Sequence, residues 1–139
     1  VADLIRGSGL SDCTKPYARA WKRMMKEHDI SHLSCGKPIA SPALMVAGTP
    51  DIEGSLDGSP MIAEIELDRG YFSSGPVLQG YKIIKGTDGI GRIPVTITLF
   101  ADGKFQITSL AESEPEDRAM FFACLQVYRW KKMMGVPQQ

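Results

Sequence analysis

Asp57-Gly58 stands between two segments, Leu44 to Ser55 and Ser59 to Leu67, that favour extended chain. An Asp-Gly pair between alternating apolar residues is the strongest short-range hairpin signal, because both residues tolerate the positive φ of a two-residue turn. Such a turn fixes the register: the numbers of facing residues add to 115, which sets Asp51 opposite Glu64. Side chains alternate along a strand, so Glu64 and Glu66 share a face, and Asp51 and Glu53 project to that same face. Directly opposed residues have Cβ atoms roughly 4.5–5.5 Å apart, and carboxylates held so close repel unless a positive charge lies between them. A divalent metal ion is the natural candidate.

The rest of the chain reads around this hairpin. Residues 12–28 place Tyr17, Ala20, Trp21, Met24, Met25 and His28 at helical spacing, with Asp12 or Thr14 as N-cap and Pro16 in the first turn. Between Leu33 and Ile39 the pattern is weak. Ser73-Ser74-Gly75-Pro76 reads as a loop into a helix over 76–85, weakened by Gly80. Ile93, Val95, Ile97 and Leu99 then alternate with threonines, and Asp102-Gly103 turns the chain into Phe105, Ile107 and Ser109. Ser113 with Glu116 three residues on predicts a capping box for a last helix ending near Gly135. Its wide apolar face carries Met120, Phe121, Cys124, Leu125, Val127 and Tyr128. The order helix, three strands, helix, two strands, helix predicts one mixed α/β domain over 1–139, a central mixed sheet flanked by helices.

Sixteen basic and sixteen acidic residues leave no net charge, so the whole-molecule field does not announce a nucleic-acid binder and does not exclude one. Three cysteines without C-x-x-C spacing, Cys13, Cys35 and Cys124, argue against a disulfide framework and a zinc site and for a reducing, cytoplasmic setting. No apolar run approaches the roughly 20 residues that span a bilayer, and the start has no signal-peptide pattern, so no membrane association is expected. The chain begins at Val1 without an initiator methionine, as a processed or truncated product would.

Gly48-Thr49-Pro50-Asp51 before the Asp-Gly turn, with Glu64-Ile65-Glu66 after it, resembles the motif of the PD-(D/E)XK nuclease superfamily, especially its compact RecB-like exonuclease members. The resemblance covers most of the chain and implies a restriction-endonuclease-like core. It implies a Mg²⁺- or Mn²⁺-dependent nuclease acting on DNA, in repair, recombination or viral DNA processing. It casts Asp51 and Glu64 as catalytic metal ligands, with the Ile65 carbonyl as a further ligand. The family lysine is replaced by Glu66, a candidate general base or second metal ligand. Lys82 or Lys85 on the next helix could supply the absent cation, with Lys82 ranked ahead. Ser34-Cys35-Gly36-Lys37 offers no acid where the family commonly has one upstream. Gln79 and Tyr81, candidate substrate-binding residues with Lys85, are two apart where the family pair is four apart, so only one of them is expected to face the site.

Several residues read more simply. His28 and His32 lie at a helix end and are assigned no chemistry. Lys22, Arg23 and Lys26, with Arg129, Lys131 and Lys132, read as solvated faces that would contact phosphates only if they converge. Trp21, Trp130 and the methionines read as core, and the cysteines as buried small apolar residues. The glycines of Lys85 to Arg92 follow a helix and precede a strand, the reverse of a dinucleotide fingerprint, so that stretch is a connecting loop. Beside the nuclease stand two other classes: a catalytically degenerate nuclease fold that binds DNA or a protein partner, its own copy included, and an unrelated α/β interaction domain with surface acids.

Overall fold

The computed structural model describes residues 14–71 and 73–136, so Asp12 and Cys13 lie outside the described residues. The chain runs α1 (Lys15–Glu27), β1 (Ile30–Cys35), β2 (Ile39–Ser41), β3 (Val46–Gly48), β4 (Ile52–Leu56), β5 (Ser59–Leu67) and α2 (Ser74–Lys85). A single turn, α3 (Thr87–Ile90), leads to β6 (Ile93–Leu99) and β7 (Phe105–Ser109), and a 3-10 turn at Ala111–Ser113 leads to α4 (Glu114–Met133). Five strands form one mixed sheet in the order β1-β4-β5-β6-β7, antiparallel except where α2 carries the chain across from β5 to a parallel β6.

The turn forms as its residues dictate. Asp57 and Gly58 have φ of +50° and +82°, the left-handed conformation whose twist matches the flanking strands. Facing pairs are Ile52 with Ala63 and Glu53 with Ile62, the register expected from the sequence. Asp57 also ties the turn to the end of α1, accepting from the Asp29 N–H at 2.9 Å and meeting His28 Nδ1 at 2.9 Å.

The sheet has two unlike faces. One carries Ile52, Met61, Ala63, Val95, Ile97 and Leu99, which bury against Ala20, Trp21 and Met24 of α1. The apolar stripe of α1 is therefore explained by what it covers. The opposite face carries Glu53, Ile62, Glu64, Glu66, Thr96 and Thr98, and α2 lies across it with α4 packed on α2. Gly80, which weakens α2 as an isolated helix, has a packing reason: a Cβ there would meet the Phe121 ring at 2.6 Å.

Some expectations need correction. Leu44 to Ser55 is not one arm: β3 leaves the main sheet to pair with β2 in a separate two-stranded sheet. α2 starts at Ser74, earlier than Pro76, because the Ser74 hydroxyl is held by Glu66 at 2.5 Å. The connection from Lys85 to Arg92 contains the turn α3. No capping box forms, since Ser113 Oγ donates to Asp117 at 2.7 Å instead of accepting from the helix amides. Of the wide apolar face of α4 only Leu125 is buried, while Met120, Val127, Tyr128 and Trp130 are exposed. The helix touches the domain along one narrow seam, so the rest of that face points outward. Cys124 is exposed and Cys35 half-buried, neither a core thiol.

Candidate functional site

Asp51 is the first residue before β4, and the Ile52–Ala63 register carried one step further sets it opposite Glu64. Its Oδ2 accepts the Ile65 N–H at 2.9 Å, which anchors the aspartate to β5 beside its neighbour. The Glu64 carboxyl is pushed up to about 7, first by burial and then by the charge and hydrogen bond of Asp51, against the lowering effect of the Tyr81 hydroxyl. Glu64 Oε1 is buried without a hydrogen-bond partner. Tyr81 arrives from α2, donates to the Thr49 carbonyl at 3.4 Å, and has its own hydroxyl pushed up to about 12 by burial and by Glu64. Its ring lies directly over Gly48, where a Cβ would collide with it.

The other acids of this face have partners of their own. Glu66 is 3% exposed and accepts from the Tyr71 N–H at 3.0 Å, the Ser74 hydroxyl at 2.5 Å and the Thr98 hydroxyl at 3.2 Å. Three of a carboxylate's roughly four acceptor positions thus go to internal donors, and Glu66 fastens the start of α2 to the sheet. Glu53 meets Lys85 at 2.8 Å and Arg92 at 3.7 Å, and both cations also reach Asp88. Burial opposes the Lys85 charge, yet the hydrogen bonds to Glu53 and Asp88 raise its pKa overall.

The two lysines of α2 therefore separate. Lys82 turns away to Glu114 at the start of α4, gripping both of its oxygens at 2.7 Å. Lys85 is the one that reaches the acidic strand face, two residues along β4 from Asp51. Gln79 and Tyr81 also diverge, as their spacing implies. Tyr81 turns toward Glu64, whereas Gln79 lines a hollow with Lys82, Glu114 and Arg118, its Nε2 buried and unpartnered.

Beside Tyr81 opens a feature that no motif announced. A groove of about 590 Å³ runs between α2, α4 and β3, lined by Val77, Tyr81, Met120 and Phe121 and by Gly48 and Gly80, on which the Tyr81 and Phe121 rings are seated. The two glycines are its only trace in the sequence, since a side chain at either would displace a wall.

Among the described residues no group of three or more His, Cys, Asp or Glu is arranged to hold a metal. A pair of carboxylates is nonetheless the donor set that Mg²⁺ uses, since it keeps several waters and completes its shell with substrate phosphate oxygens. The orphaned Glu64 oxygen and the raised proton affinity both mark surplus negative charge that a divalent ion would relieve, so Asp51 and Glu64 fit the group. No helix among the described residues is long and apolar enough to cross a membrane. Comparison of the chain with protein-family models returns no match, and comparison with curated proteins returns none.

Proposed function

We propose that this protein is a metal-dependent deoxyribonuclease of the PD-(D/E)XK type, hydrolysing DNA phosphodiester bonds in the cytoplasm with Mg²⁺ or Mn²⁺. The observation that carries the reading is the opposed Asp51–Glu64 pair, with one Glu64 oxygen buried and unpartnered. The ion, when bound, neutralises charge on the scissile phosphoryl group and lowers the pKa of a water ligand. The chain's own residues do the remainder. Asp51, fixed by the Ile65 N–H, and Glu64 would supply the acidic ligands, with the Ile65 carbonyl as a further one. Tyr81 holds Glu64 from above and closes the carboxylate pair on the α2 side. Lys85, held on Glu53 two residues from Asp51, takes the place of Lys82 as the α2 cation on the acidic face, and Glu66 frames the site from beneath α2.

The test is cleavage of end-labelled single- and double-stranded DNA with Mg²⁺, Mn²⁺ or EDTA. Cleavage that needs metal and is lost in Glu64→Gln supports the reading, and cleavage that survives Glu64→Gln removes it. A second reading, a degenerate nuclease fold that holds DNA without cutting it, draws on a specific observation. Both α2 lysines are committed to carboxylates and Glu66 to three donors, which leaves the water-activating role without an obvious holder. DNA retained but uncut in every metal would favour it.

A further inference from the structure

We propose that the groove between α2, α4 and β3 seats an unpaired nucleobase of the DNA strand presented to Asp51 and Glu64, making single-stranded DNA or a frayed end the preferred substrate. This rests on the nuclease reading above and specifies the form of its substrate.

Four observations lead to that occupant. First, the groove adjoins the acid pair across one residue: Tyr81 is a wall of the groove and, through its hydroxyl, a neighbour of Thr49 and Glu64. A strand whose phosphate lies at Asp51 and Glu64 has this opening beside it. Second, the walls are apolar and aromatic, and the volume of about 590 Å³ lies in the range of pockets that take flat organic groups. Every base has a π-face, so Tyr81 and Phe121 can hold one without reading its identity. Third, the lining also includes Ser73, Glu116 and Asp117, and the two carboxylates repel a phosphate. The sugar-phosphate backbone is thereby kept out, and the base is the part of a nucleotide that can enter. Fourth, the backbone fixes where the walls stand: the Tyr81 ring is seated on Gly48 and the Phe121 ring on Gly80, each where a Cβ would collide with it.

A base inside a duplex is stacked and paired and must be freed before it can enter such a seat, whereas a single strand offers it directly. Met120 gives a safe handle, being 54% exposed on α4 and part of the wall.

The experiment measures binding of a short labelled oligonucleotide, single-stranded or as a blunt duplex, by fluorescence anisotropy in Ca²⁺ and in EDTA. Wild type, Met120→Glu, Met120→Gln and Glu64→Gln are compared, with melting temperatures confirming that each is folded. Wild type is expected to bind the single strand about tenfold more tightly than the duplex, the scale of one stacked base. Met120→Glu should erase that preference by weakening single-strand binding alone, and Met120→Gln should retain most of it. Equal affinity for the two forms in wild type, or an undiminished preference in Met120→Glu, overturns the proposal. Cleavage is scored separately on the same proteins. A single-strand preference lost in Met120→Glu, with no cleavage in any metal, sinks the nuclease reading and leaves the seat. Metal-dependent cleavage that Glu64→Gln abolishes, with wild type and Met120→Glu binding the single strand and the duplex in the same ratio, does the reverse.

Discussion

Replacing Glu66 separates a structural carboxylate from a chemical one. Its Oε1 accepts from the Tyr71 N–H and the Ser74 hydroxyl and its Oε2 from the Thr98 hydroxyl. In Glu66→Gln the amide oxygen can take the Oε1 position and keep two donors, while the amide NH₂ faces Thr98, whose hydroxyl can rotate to accept. Only the charge assistance is lost, which costs about 1 kcal/mol. In Glu66→Ala all three donors lose their acceptor. The hollow of about 330 Å³ beside Glu66 lets water reach them, so the loss is about 3 kcal/mol, below the sum of three dry orphans. At about 4 °C per kcal/mol for a chain of this length, calorimetry should show melting falls of about 4 °C and about 12 °C. DNA cleavage at a temperature where both variants are folded should persist in Glu66→Gln. If that variant melts like wild type yet loses cleavage, Glu66 acts on the proton of the attacking water and its role as a fastener of α2 is wrong.

Glu64 predicts an inverted pH response. The folded protein keeps its proton up to about 7 whereas an unfolded chain releases it near 4.5, so the folded state binds more protons in that window. Stability should therefore fall as pH rises from about 4.5 to about 7 and level off above, and Glu64→Gln should flatten that part of the melting profile; matching slopes in the two proteins would refute the assignment. Because a metal must displace the same proton, apparent Mg²⁺ affinity by calorimetry should climb about tenfold per pH unit toward pH 7 and then plateau, and a pH-independent affinity would place the metal elsewhere. Gly80→Ala gains up to about 1 kcal/mol of helix propensity but presses a methyl into Phe121, so urea denaturation should give a net loss of about 1–2 kcal/mol. A stabilised variant would show that α4 gives way freely.

What could be read from the sequence was what the chain decides locally. The turn at Asp57-Gly58 sets its own register, and that register alone brings Asp51 to Glu64. The β2–β3 pair escaped detection because each strand has three residues and the turn between them carries no glycine, Met45 itself taking φ of +54°. The partners of Glu66 come from the loop before α2 and from β6, which no pattern within β5 can announce. The choice between Lys82 and Lys85 depends on how α2 is rotated over the sheet, and that is fixed by glycine contacts with α4 and β3. The apolar face of α4 was visible as a pattern, but a pattern does not say how much of itself will be covered.

Those glycines have a consequence for how the molecule is mapped by mutation. α2 is seated at points where atoms are missing: Gly48 under Tyr81, Gly75 against Asp117 and Gly80 against Phe121. A scan that trims side chains to alanine removes matter everywhere else and adds it here. It would report the rings as ordinary contacts and score the glycines as small, conservative changes. The tolerances of the acid pair are set by clearances, so the informative library is one that grows side chains at these three positions and watches the site move.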